Sequence, residues 1–174
     1  GKKGYVLDML PLVAKNSVYN EIGTKLLEII PSEKLKSHQS LPMVMKEDGR
    51  MDWSTRQIRA WKEANKINED MDAEAAFQYL AKKYQLREDL SPQDMQKIIA
   101  IRLAISQLGY LIYNPALIAN DISAKTVATI EENSLELPGV VIQDEYIRYY
   151  PNGRLLAQSL GYVGKITADR AEEY

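Results

Sequence analysis

No cysteine occurs in the 174 residues, and the chain holds one histidine, one phenylalanine and two tryptophans. The lack of cysteine excludes thiol catalysis, cysteine-ligated zinc and structural disulfides. The lone imidazole, His38, lies in a polar loop beside Lys36 and Ser40 and has no HExxH or HxH partner. It reads as a solvated loop residue rather than a base or metal ligand.

An excess of either charge is also missing. Lys and Arg total 22 against 24 Asp and Glu, and the basic residues are scattered singly, so there is no electrostatic footprint for a phosphate backbone and no nucleic-acid partner is expected. No apolar run approaches the roughly 18 to 20 residues that span a bilayer. The opening GKKGYVLDMLPLVAK is broken by Asp8 and Pro11 and carries no small-residue cleavage site, so any targeting segment is expected upstream.

Catalytic signatures are scarce as well. Residues 161 to 165 read GYVGK, but the earlier glycine of a phosphate loop is absent and Ile166 stands where Ser or Thr would bind magnesium. There is no G-x-S-x-G, no serine has a lysine three residues on, and Lys125-Thr126 continues into Val127 rather than glycine. The acidic pairs Glu131-Glu132, Asp144-Glu145 and Glu172-Glu173 are adjacent in sequence, so their side chains diverge on a helix or strand and form no ready dyad.

What is present suits a folded domain. Hydrophobic residues make up 45% and charged residues 26%, and the length fits one domain, or one elongated domain with two lobes, that buries a real core. Residues 4 to 10 read as a short strand. From Asn16 to Ile30 the apolar positions Val18, Ile22, Leu26 and Ile29 or Ile30 recur at helical spacing until Pro31 stops the run. The polar stretch 31 to 43 is a connection, and Asp48-Gly49 between two short apolar runs predicts a tight hairpin.

Ser54 with Gln57 forms a capping-box pattern, and Trp53 with Ile58 has staple spacing, which predicts a helix from 55 to about 66. Asp72 caps a further helix with Ala73, Ala76, Phe77, Leu80 and Tyr84 on one face. Ser91, Pro92 and Asp94 start the clearest helix, whose buried face is Ile98, Ile101, Ile105 and Leu108 and whose stop is Gly109.

Beyond Tyr110, YLIYNPALIAND reads as an edge strand or two extended pieces with Pro115 inside, and Ser123 to Ser134 returns to helix with Val127 and Ile130 inward. LPGVVIQDEYIRYYP is an extended run entered through a Pro-Gly turn. A short helix around Leu155, Leu156 and Ser159 or Leu160 and another from Thr167 complete an α+β order of elements. Tyr146, Tyr149, Tyr150 and Tyr162 belong to eleven tyrosines, which suit a half-buried sheet as well as an interaction surface.

The run LPGVVIQDEYIRYYPNGRLLAQSLGYVGKI resembles a segment of class B penicillin-binding proteins, in which a Pro-Gly turn, a strand, Arg-x-Tyr-Pro-x-Gly and Leu-Gly-Tyr-Val-Gly follow in that order. The matching positions are Pro138, Gly139, Val140, Arg148, Tyr150, Pro151, Gly153, Leu155, Leu160, Gly161, Tyr162, Val163 and Gly164. The likeness is firm over residues 110 to 166 and general before that, and it is strongest to elongation-type members of the clostridial kind. Leu156 and Gln158 depart from the alanine and histidine common in that family.

The resemblance implies a pedestal, or dimerisation, domain: a mainly helical head lobe over 1–109 and a strand-helix-strand-helix lobe over 110–174. Its signature residues are then structural, and no catalytic, cofactor or metal residue is implied. The parent would be a serine D,D-transpeptidase, anchored on the outer face of the cytoplasmic membrane by an upstream helix. The implied partners are its own transpeptidase domain, a glycosyltransferase, an MreC-type scaffold and a second copy of the chain. Two other readings stay open on the residues alone: a free-standing adaptor, and a small enzyme using the acidic pairs with Tyr149 or Tyr150.

Overall fold

The computed structural model describes residues 4–37, 41–107 and 115–144. Its elements in chain order are β1 (Tyr5–Met9), α1 (Asn16–Ile29), β2 (Met43–Met45), β3 (Met51–Trp53), α2 (Arg59–Ala64), α3 (Ala73–Lys83), α4 (Pro92–Ser106), β4 (Ala116–Ile122), α5 (Ala124–Glu132) and β5 (Val140–Asp144). The α+β expectation is met.

The helices begin where the side chains can satisfy the first free N–H groups. Asp72 Oδ1 accepts from Ala75 N at 2.8 Å, Ser91 Oγ from Asp94 N at 3.1 Å and Ser123 Oγ from Thr126 N at 3.2 Å. The predicted faces of α3 and α5 are buried, as are Ile98, Ile101 and Ile105 of α4. Leu108 and Gly109 lie outside the described residues.

Two expectations fail in detail. The helix placed at 55 starts at Arg59, with no side-chain cap, because Thr55 Oγ1 accepts the Gln57 N–H at 3.2 Å in a local turn that competes with the capping box. Trp53 instead meets Trp61 edge to face, with ring centroids 5.8 Å apart. On α1, Val18 is exposed and Tyr19 is buried in its place.

The sheet has the order β4-β1-β5, with both pairings antiparallel. Against β5 the register is regular from Tyr5↔Asp144 to Met9↔Val140. Against β4 it slips twice between Tyr5 and Asp8, where Asp121 takes a left-handed φ of 55°. β4 is an edge of this sheet, with Pro115 directly before it, and the isolated bridge Leu35↔Ala119 covers part of it. The sheet therefore draws strands from both sides of position 109.

β2 and β3 form the hairpin around Asp48-Gly49, with Gly49 at a φ of 86° that suits a residue without a Cβ. Met43 and Met51 turn inward, and two side chains dock the hairpin: Glu74 Oε1 accepts from Met51 N, and Gln96 Nε2 donates to Met43 O, both at 2.8 Å.

The core falls into two clusters. The first gathers the sheet, α1, α5 and the end of α4 around Leu7, Leu26, Ile105 and Ile118. The second gathers the hairpin, α3 and the first part of α4 around Phe77, Leu80, Ile98 and Leu103. α4 is thus buried on several sides, with Ile98, Ile99, Ala100, Ile101 and Leu103 all inaccessible, and it belongs to both clusters. No helix among the described residues is long and apolar enough to cross a membrane.

Candidate functional site

Of the thirteen matching positions, the described structure contains Pro138, Gly139 and Val140. Arg148, Tyr150, Pro151, Gly153, Leu155, Leu160, Gly161, Tyr162, Val163 and Gly164 lie outside the described residues. Pro138 and Gly139 form the corner that leads from α5 into β5. Gly139 has a φ of +83°, and a Cβ there would stand 3.0 Å from the Leu12 side chain and 3.2 Å from the Leu10 carbonyl. Its own carbonyl accepts the Leu10 N–H at 2.9 Å. The residue therefore has both a backbone and a packing reason to be glycine.

Beside that corner a cleft of about 370 Å³ separates α1 from the 135–138 turn, lined by Val18, Ile22, Lys25, Leu135 and Pro138. Lys25 Nζ pairs with Glu136 at 3.2 Å across it. Leu135 and Val13 are almost wholly exposed.

Of the residues weighed for catalysis, the structure describes Glu131, Glu132 and Asp144. Glu131 and Glu132 are exposed on α5, and Asp144 ends β5; His38, Glu145, Tyr149, Tyr150, Glu172 and Glu173 lie outside the described residues. Among the described residues no group of three His, Cys, Asp or Glu could hold a metal ion. Asp121 has a carboxyl that its hydrogen bond and 2.6 Å ion pair with Lys34 hold below the usual range, at an exposed position.

Two cationic side chains escaped the sequence reading. Lys62, on α2, is buried; its Nζ donates to Glu69 O at 2.7 Å and Met71 O at 2.9 Å and lies 5.1 Å from the centre of the Trp53 ring. Here an ammonium closes a loop by satisfying two carbonyls.

Arg102, on α4, lies between the rings of Tyr19 and Tyr84, its guanidinium carbon 4.5 and 4.4 Å from their centres. Its fork donates to Asn20 Oδ1 at 3.0 Å and Asn16 Oδ1 at 2.8 Å. The same two asparagines continue outward: Asn20 Nδ2 donates to Tyr84 O at 2.8 Å and Asn16 Nδ2 to Gln85 Oε1 at 3.2 Å. Burial lowers the Arg102 pKa, opposed by the two tyrosines, and burial raises that of Tyr84, opposed by Arg102 and by a hydrogen bond with Ser106. A lone arginine inside IIAIRLAIS was the available signal, since a charge among apolar neighbours needs partners.

The arrangement around Arg102 can orient and join elements. Residues 2–174 match the family described as Penicillin-binding Protein dimerisation domain. Over 102 residues the chain is 38% identical to penicillin-binding protein 2A of Bacillus subtilis (strain 168), a match that covers 58% of this chain and 14% of that protein's length.

Proposed function

The chain belongs to the penicillin-binding protein dimerisation-domain family, and from that premise we propose that it is the non-catalytic pedestal of a membrane-anchored penicillin-binding protein at work in peptidoglycan synthesis. It positions a transpeptidase domain on the outer side of the membrane and contacts the elongation machinery, namely a glycosyltransferase and an MreC-type scaffold, with a second copy of the chain as a further partner. The parent is then a serine D,D-transpeptidase.

The observation that carries this reading is the family match over 2–174, nearly the whole chain. The fold is consistent with it in a specific way: α4 takes part in both clusters, so the module offers a continuous support. Of the acidic pairs that the small-enzyme reading would use, Glu131, Glu132 and Asp144 are described, and all three are exposed.

A fluorescent penicillin tests the division of labour. The chain alone is expected to remain unlabelled, while the parent with its catalytic domain is labelled covalently. Labelling of the 174-residue chain would overturn the non-catalytic assignment. The positioning role is tested by expressing the parent with this module deleted: penicillin labelling of the catalytic domain should persist while wall elongation is lost. Normal elongation without the module would sink that part of the proposal.

A further inference from the structure

We infer that Arg102 is a latch between the two hydrophobic clusters, holding the hairpin-bearing head at one fixed orientation to the sheet. The aromatic faces that sandwich it come from different cores: Tyr19 belongs to the cluster built on the sheet, Tyr84 to the cluster built on α3 and the hairpin. Arg102 itself rises from α4, the helix that both clusters share.

Three features make this a fixing device rather than incidental packing. First, α1 and α3 both lie on α4, and every side-chain hydrogen bond between α1 and the end of α3 among the described residues runs through Asn16 or Asn20, the two acceptors of the Arg102 fork. Apolar contacts such as those of Leu27, which touches both clusters, have no directional preference and allow sliding; a planar fork stacked on both faces does not.

Second, no described carboxylate lies in ion-pair range of Arg102. A half-buried cation held by two amides and two rings contributes geometry more than bulk stability, because its desolvation offsets much of what its contacts provide. Third, Gln85 sits at a left-handed φ of 57° directly after Tyr84. That conformation turns the chain so that the Tyr84 and Gln85 carbonyls and the Gln85 side chain all reach the asparagines.

The absence of cysteine allows a direct test in the full chain. Spin labels on Lys82→Cys of α3 and Glu132→Cys of α5, both exposed, report the distance between the two halves by pulsed electron resonance. The parent pair should give one narrow distribution. Arg102→Met, similar in length and without charge or fork, should at least double its width while the far-ultraviolet circular dichroism stays native. Arg102→Lys, which keeps the charge but not the planar fork, should widen it as well. An unchanged distribution in a folded Arg102→Met would overturn the latch. Should Arg102→Met fail to fold, the double variant Asn16→Ala with Asn20→Ala removes the acceptors and leaves α4 intact: widening there supports the latch, and an unchanged width overturns it. The readout is a distance, so its outcome is separate from that of the penicillin experiment.

Discussion

The Leu10 N–H donates to the Gly139 carbonyl at 2.9 Å, which extends the β1–β5 pairing one residue past Met9↔Val140. Gly139 makes this contact at a φ of +83°. Gly139→Ala forces an L side chain into that region and presses its Cβ on Leu12, so the unfolding free energy should fall by about 1–3 kcal/mol. Gly139→Asn should lose less. Urea denaturation followed by circular dichroism measures both, and a neutral Gly139→Ala would contradict the assignment.

Lys62→Met keeps the aliphatic stem but removes the donor to the Glu69 and Met71 carbonyls. Each loses a partner next to buried structure, and the expected loss is roughly 1–3 kcal/mol. Because the ammonium also lies over the Trp53 ring, the tryptophan emission should shift on the same substitution. A stability equal to the parent's would show that water replaces the lysine at no cost.

Gly23 is a buried glycine inside α1, and the Cβ of an alanine there would stand 3.4 Å from the Ile98 side chain. Ordinary contact is therefore available, and the helix gains by losing backbone freedom. Gly23→Ala should stabilise by about 0.5–1 kcal/mol, while Gly23→Leu should overpack against Ile98 and destabilise by roughly 1–3 kcal/mol. Thermal melts of the three proteins would reverse this order only if α1 and α4 lie farther apart.

Lys34 fixes the acid behaviour of Asp121. The folded pKa of Asp121 is lowered, so the contribution is present above the unfolded value of 3.8 and disappears as pH falls from there through the folded value. A nuclear magnetic resonance titration should put the Asp121 midpoint below 3.8, and Lys34→Met should return it towards that value. Added salt should reduce the difference, since both partners reach solvent. A midpoint indifferent to Lys34→Met would remove the ion pair as its cause.

Much of the local structure could be read from single residues. Asp72, Ser91 and Ser123 announce their helices because a cap is decided within four positions, and Asp48-Gly49 announces its hairpin for the same reason. The 55–58 turn was misread because Ser54 and Gln57 fit the capping pattern while Thr55 offered a nearer acceptor. Lys62 and Arg102 depend on partners brought in by tertiary packing, with Asn16 lying 86 positions from Arg102. No window of sequence shows such a meeting. Pro138 and Gly139 were named through family likeness, and the structure supplies the physical reason at Gly139.

The central place of β1 has a consequence for how the chain is made. Asp8, buried in β1, accepts a hydrogen bond from Gln143, 135 positions later, and both neighbours of β1 follow the whole head in sequence. A chain that emerges N-terminus first therefore carries β1 unpaired until β4 and then β5 arrive, whereas the buried residues of the second cluster, all between Leu41 and Leu103, are complete earlier. The second cluster has all its residues before the sheet can close, so β1 is the strand that waits longest for its partners.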